Sequence, residues 1–461
     1  MKEIYEYFIN ENAYGDFNDS AAVQRFSEAL KCKTVSENPE EGAFERIHGI
    51  IKTGFPNVMA SGNFELVRNS VLITIPGLNP DLKPALFMSH LDVVPVVEGT
   101  EQNWTYAPFS GEVADGYIWG RGSADIKEQV FGTLEAAEYL LSKGFKPERT
   151  IFLAFGDDEE TYNEGSRMMA DLLESRGVEL EFLLDEGGGR IQDGASFGAP
   201  GLAVSCISLM EKGYADLELT VESKGGHSSR PFGGTSLGIL SEAIAAICSN
   251  PFPTEACSLL QRAFEELKND ITEEPLRSIM NAEIVDTSAL AEYCASTPEL
   301  FPFTTTTIAP TMIEGGSQAC NVMPQNMRAV INFRLAEGYT PEMVMEHCRN
   351  AVKDERVNLR FIQSNPPSIV SESHSFGYER LVNSLNRFYN DVRFVPLAST
   401  GATDARSFEQ ICNVCLRCSP FIIPEEDLAG VHGTNERLSI RSYIQGIRVL
   451  IDLMEKAAHE S

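Results

Sequence analysis

The chain has 461 residues, 43% of them hydrophobic and 23% charged. That length exceeds the roughly 250–300 residues at which a single core stops growing, so two domains are expected. Lys and Arg number 37 against 67 Asp and Glu, a formal net charge of −30, which argues against nucleic-acid and membrane-surface partners because such a surface repels phosphate backbones and anionic lipid.

The opening stretch, MKEIYEYFINENAYGDFNDS, carries acids and Asn where a secretion signal needs a basic start and an apolar run. No segment approaches the ~20 apolar residues of a membrane span. The ten cysteines are scattered, several in apolar contexts such as Cys206 and Cys248, the usage of reduced thiols in a cytoplasmic protein. Cys412, Cys415 and Cys418 have a spacing that can bind metal, but no fourth cysteine lies nearby and NVCLRC also reads as a short strand.

In chain order, ALFMSH (85–90) and TIFLAF (150–155) are buried strands. Between them, GEVADGYIWGRG reads as a hairpin turning at Asp115–Gly116, and KEQVFGTLEAAEYLLSKG as a helix ending at Gly144. GSRMMADLLESRG is a second helix and EFLLD the next strand, an order that predicts a largely parallel sheet flanked by helices. Near residue 214 the pattern changes. ADLELTVES alternates, with Leu217, Leu219 and Val221 on one face, and MRAVINFRL (327–335) does the same before a helix at PEMVMEHCRNAVKD. Half-exposed strands with helices predict an α+β domain. Buried apolar runs resume near 366 and end in a helix with Ile440, Ile444, Ile447, Ile451 and Met454 at helical spacing. The expected fold is therefore α/β, with a mixed, largely parallel sheet flanked by helices: a discontinuous domain, 1–213 and 366–461, into which an α+β domain over 214–365 is inserted.

Of the seven histidines, His48, His347, His374 and His459 lie in helical or polar stretches without evident partners. His90 ends a buried strand, with Asp92 two residues on; ligands of α/β folds bind at that end, and a metal-bound His usually gives its other ring N–H to a carboxylate. Asp125 stands in the Gly- and Ser-rich turn GRGSADIK, where a helix cap is the alternative. The four carboxylates of GDDEE, 157–160, sit at the mouth of a strand, where they form either a solvated acidic loop or a cation site. Asp185 and Glu186 again follow a strand, and His432 stands in GVHGTNE. Together these residues make a donor set suited to divalent ions.

The stretches SHLDVVPV, PFSGEVADGYIWGRGSADIK, GDDEE, LLDEGG, KGGHSSRP, GGSQACNVMPQNMRAVINFRL, TGATDARSF and GVHGTNE resemble, in order from about residue 85 to 440, the zinc-dependent exopeptidases and deacylases. That family includes carboxypeptidase S, aminoacylase, glutamate carboxypeptidase, acetylornithine deacetylase and succinyl-diaminopimelate desuccinylase, and the resemblance leans to the carboxypeptidase S branch. It implies two divalent ions, zinc first with cobalt or manganese able to substitute, bridged by Asp125. His90 and Asp185 would hold one ion, Glu160 and His432 the other, with Glu159 as general base and Asp92 orienting His90. It also implies a cis peptide at Asp125–Ile126, an oxyanion-stabilising role for His227 in its own or a partner subunit, and substrate contacts from Asn321, Arg334 and Gly401.

The implied activity is hydrolysis of small peptides or N-acyl amino acids by a hydroxide bridging the metals, in a carboxypeptidase, a dipeptidase or a deacylase. A homodimer through the inserted domain is implied as well, and the segment from Phe252 to Phe303 points to an enlarged lid. A metal-dependent peptide-binding protein without hydrolysis would lack part of the ligand or base set, and none is missing. Two positions depart from the family pattern: Asp157 where relatives commonly carry His, and Ala402 where they carry Gly.

Overall fold

The strand Ala85–His90 lies inside a nine-stranded mixed sheet whose path runs Asn63–Val67, Ser70–Ile75, Ile151–Gly156, Ala85–His90, Phe182–Asp185, Cys415–Arg417, Ala199–Glu211 and Val392–Ser399, with Gln192–Gly194 paired to Ala199–Glu211 off this path. The structure, a computed structural model, describes residues 2–188 and 190–460. Four neighbouring strands are parallel, with His90 level with Gly156 and Asp185 level with Arg417. Their carboxyl ends therefore share one edge, and the next residues from three of them enter one crevice.

Alternation along these strands sends side chains to two cores. Val71, Ile73, Phe87, Leu153 and Leu184 pack under the helices Asp19–Leu30, Lys127–Ser142, Phe376–Phe388 and Ile440–Ala457. Leu72, Leu86, Met88, Ala154 and Leu183 face the helix Glu164–Ser175 and the turn Asp404–Phe408. The last helix buries more than its apolar residues at helical spacing: Val449, Leu450 and Leu453 are buried as fully as Ile447 and Ile451. It is central because the helix Lys127–Ser142 packs against it. Among the described residues, no helix is long and apolar enough to cross a membrane.

The hairpin forms as expected, with Ala114 opposite Tyr117 and Asp115 and Gly116 both at positive φ, the type I′ conformation. A third short strand, Arg437–Ser439, joins it and ties the loop carrying His432 to this side of the body.

The second sheet is antiparallel, in the order Thr307–Gly315, Asn326–Leu335, Gly213–Glu222, Val357–Asn365. The helices Ser236–Cys248 and Pro341–Val352 bury Leu217, Leu219 and Val221 on one face. Arg328 bonds Glu218 at 2.6 Å and Asn332 bonds Asp216 at 2.9 Å on the other.

The segment expected to enlarge this lid does something else. Leu260, Phe264, Leu267, Leu276, Leu290 and Leu300 pack with Phe197, Val204, Val395 and Leu397 of the large sheet. The chain leaves the lid near Phe252 and re-enters it near Thr305, where the Thr305 hydroxyl donates to the Phe252 carbonyl at 3.2 Å. The helices between belong to the catalytic body, because their apolar faces cover the outer strands Ala199–Glu211 and Val392–Ser399.

The two central helices meet across the Phe421 ring, which a Cβ at Gly132 or Gly446 would strike. Replacing Gly446 by Ala gains about 1 kcal/mol of helix propensity, against an overpacking cost of about 1–3 kcal/mol. Gly446→Ala is therefore expected to lower the urea midpoint, and a raised midpoint would show that the ring relaxes freely.

Candidate metal centre

His90 is the last residue of its strand and is fully enclosed. Its Nδ1 faces the Asp92 carbonyl at 3.0 Å, which leaves Nε2 toward the crevice. There Nε2 lies 3.4 Å from Asp125, 3.6 Å from Glu186 and 3.9 Å from Glu159. Burial pulls this imidazole down, but Glu186, Asp125 and Asp92 together hold it well above the usual histidine range.

Asp92 serves two elements at once. Besides standing under His90, its carboxylate accepts from the backbone N–H groups of Glu159 at 3.1 Å and Glu160 at 3.2 Å, and from Ser36 Oγ at 2.6 Å.

The acidic run is divided. Asp157 accepts from Ser70 Oγ at 2.6 Å and Asp158 from the Gly165 N–H at 2.8 Å, with Arg68 beside both. Both are buried behind the site, so the charge of Asp157 is directed away from Glu159. Glu159 and Glu160 alone of the four join the metal-ligand groups. Burial drives the Glu159 carboxyl well above its ordinary value; His90 opposes, and Asp404, Glu160 and Asp92 add to the rise.

Asp125 precedes a cis peptide to Ile126, as expected. One of its oxygens faces His90 and the other lies 2.9 Å from His432 Nε2. His432 also reaches Glu160 at 3.2 Å, and these two carboxylates push its imidazole up to about 10. A buried ion pair aligns the two loops. Glu436 accepts from the Ala124 N–H at 2.9 Å and from Arg121 at 2.5 Å, while Arg121 also donates to the Gly433 carbonyl at 2.9 Å.

Of the Asp185–Glu186 pair, Glu186 is the residue whose carboxylate faces His90. The Asp185 carboxylate accepts from the backbone N–H groups of Glu186 at 2.8 Å and Ala405 at 2.7 Å, beneath the strand ends. It anchors the turn Asp404–Phe408, while the Glu186 side chain enters the crevice. Adjacent residues leaving a strand point to opposite sides, and the competition for those N–H groups selects Asp185 for the structural side.

Sequence reading missed two further buried groups. Asp404 accepts from Asn163 at 2.9 Å, and burial with Asp185 nearby pushes its carboxyl up to about 7. Arg417, read as part of a short strand, is fully buried against Glu211 at 2.6 Å, and Glu211 also accepts from Thr403 Oγ1 at 2.7 Å. Only the motif TGATDARSF hinted at this turn, and residue type alone did not separate Asp404 from a helix cap. All ten cysteines are free, with Cys412, Cys415 and Cys418 buried.

The lid residues fall into two pairs. His227 is exposed, with Nδ1 facing Ser229 Oγ at 2.8 Å, and the Asn321 carbonyl accepts from the neighbouring Ser228 N–H at 2.9 Å. Neither joins the metal-ligand groups among the described residues. Arg334 lies over the Tyr214 ring at 4.8 Å and donates to the Thr400 carbonyl at 3.0 Å, beside Gly401.

The donor set suits divalent cations. Two groups, His90–Asp125–Glu186 and Asp125–Glu160–His432, share Asp125, and within each group the prospective ligand atoms lie within 4.8 Å of one another. His90 Nε2 is a buried ring nitrogen without a hydrogen-bond partner among the described residues, as a ligand awaiting an ion would be.

The model of Peptidase family M20/M25/M40 matches residues 86–456. The chain belongs to this family. An N-fatty-acyl-amino acid synthase/hydrolase of Danio rerio is 34% identical over 445 residues, covering 94% of this chain and 85% of that protein. A probable carboxypeptidase S-like protein of Dictyostelium discoideum is 31% identical over 446 residues, covering 94% and 84%. Among solved structures, an M20 family metallo-carboxypeptidase from Sulfolobus solfataricus superposes with a TM-score of 0.66 at 19% identity, covering 95% of this chain and 99% of that one. As an M20 chain this is a hydrolase that uses divalent metal.

Two outcomes follow for this M20 centre. Asp92→Ala removes support from His90 and from the backbone at Glu159 and Glu160, and is expected to weaken metal binding about 10–100-fold, read by chelator competition. In chelated protein, Asp404 raised to about 7 contributes stability that is full below the ordinary Asp pKa of about 3.9 and lost as pH rises through 7. His432, raised to about 10 and half-exposed, adds a smaller, solvent-screened loss between about pH 6.5 and 10. The unfolding midpoint of chelated protein should thus fall from pH 4.5 to 9, with Asp404→Asn flattening the part below pH 7.

Proposed function

We propose that the chain is a di-zinc amidohydrolase that cleaves N-acyl amino acids and small peptides. The observation that carries this reading is Asp125, with one oxygen toward each histidine, beside the carboxylate of Glu159. His90, Asp125 and Glu186 would hold one ion, and Asp125, Glu160 and His432 the other. This N and O donor set suits zinc, with cobalt or manganese able to replace it. When bound, the ions supply Lewis acidity and lower the pKa of water toward about 7.

Glu159 is anchored through its backbone to Asp92 and carries a carboxyl of raised basicity. It takes a proton from the attacking water and delivers it to the leaving amine. Arg334, presenting a fork of N–H donors at the Thr400–Gly401 loop, receives the substrate carboxylate. His227 is read as the lid group that reaches the reacting carbonyl on closure, in the same subunit or across a homodimer formed by the lid, and Asn321 as a second contact to the substrate carboxylate beside Arg334. The names of the relatives, N-fatty-acyl-amino acid hydrolases and carboxypeptidase S-like proteins, support this substrate class. Ten free cysteines favour a reducing, cytoplasmic setting.

Three substitutions test the assignment on N-acyl amino acids and dipeptides. Glu159→Gln should keep its metal and lose about 10²–10⁴-fold in kcat. Glu186→Gln should lose bound metal, whereas Asp185→Asn should chiefly lower the unfolding midpoint. Full activity in Glu159→Gln would overturn the mechanism, and normal metal content in Glu186→Gln would overturn its assignment as a ligand.

A further inference from the structure

The helices that left the lid build a cavity where they meet the large sheet. It has a volume of 410 Å³, and apolar Phe197, Leu300, Pro302, Phe303 and Leu397 line it with Cys206 and with polar Arg190, Gln192, Ser208 and Glu299. Gly188, two residues beyond Glu186, and Thr400, whose carbonyl accepts from Arg334, also line it. The cavity therefore adjoins both the proposed metal ligands and the proposed carboxylate anchor.

Its wall is fixed. The buried Lys212 ammonium donates to the carbonyls of Pro302 and Thr305, and the Lys212 N–H donates to the Ser399 carbonyl at 3.0 Å. A second cleft of 520 Å³ shares Arg190, Gln192, Ser196 and Glu299 with the first and is also lined by Tyr293 and Leu428.

We infer that this cavity is the pocket for the apolar acyl chain of an N-acyl amino acid. The inference rests on the amide-hydrolase reading above and adds where the acyl group goes. At about 30 Å³ for a group the size of a water or a methylene, the first cavity holds roughly a dozen such groups. That is more than any standard amino-acid side chain contains, and the adjoining cleft lengthens the path further. Apolar groups with a smaller polar share, preformed by packing, are the usual lining of a small-molecule pocket.

The test is an N-acyl-phenylalanine series from acetyl to hexadecanoyl, assayed with metal-loaded protein. Each buried methylene is worth about fourfold in kcat/KM, so a steep rise is expected up to about a dozen carbons and a plateau beyond. Cys206→Trp, which fills the cavity, should cut the dodecanoyl-to-acetyl ratio at least tenfold, and Phe303→Ala should move the plateau to longer chains. Calorimetric binding of dodecanoate should weaken in parallel in Cys206→Trp, a readout that needs no turnover.

A flat chain-length profile in the wild type would overturn the pocket assignment. So would a ratio left unchanged by Cys206→Trp in a variant that keeps its unfolding midpoint. If the wild type cleaves neither acyl amino acids nor dipeptides, the hydrolase reading fails instead. Dodecanoate binding lost in Cys206→Trp would then still support the pocket, and binding that is absent or unaltered would overturn it.

Discussion

Asp125, Glu159, Glu160 and Glu186 crowd around two imidazoles at the edge of the large sheet. Like charges this close are tolerated only with protons or cations shared among them. Burial, with neighbouring carboxylates adding to it, holds the Glu159 and Glu186 carboxyls above their ordinary value, while attraction to the same carboxylates raises the His90 and His432 imidazoles. Every element around the site is arranged to hold the crowd in place. Asp92 pins the loop of Glu159 and Glu160, the Arg121–Glu436 pair joins the turn of Asp125 to the loop of His432, and Asp185 with the Arg417–Glu211 pair fixes the turn of Asp404. These supports are themselves buried, so removing one partner leaves an uncompensated charge.

The division between body and lid is equally consequential. The lid contributes Arg334 to the body's Thr400–Gly401 loop, while His227 and Asn321 stand apart from the metal-ligand groups. The helices of the 256–300 segment instead cover the outer strands of the catalytic sheet. Their return to the body creates a cavity against the outer strands, so the segment read as lid enlargement forms a wall of that cavity instead.

Much of this was legible before any fold was in view. Buried runs ending in His90, in the 157–160 carboxylates and in the Asp185–Glu186 pair announce a parallel sheet with a loaded edge, and the hairpin at Asp115–Gly116 is dictated by its turn residues. What stayed hidden were partners remote in sequence. Arg417 looked like an ordinary strand residue until Glu211, 206 positions away, was placed beside it. Asp404 was not singled out in TGATDARSF, because its partner Asn163 and the enclosing sheet lie far away in sequence.

Alternation and motif order are local or sequential properties, and they determined by themselves the α/β class and the strand-end cluster of histidine and carboxylates. Which of two adjacent acids enters the crevice, and which body a helical segment joins, are settled by long-range competition. Asp185 is drawn beneath the strand ends by the N–H groups of Glu186 and Ala405, which frees Glu186 for the site. The 256–300 helices go where uncovered apolar strands await them. Both outcomes depend on groups that only the tertiary structure brings together.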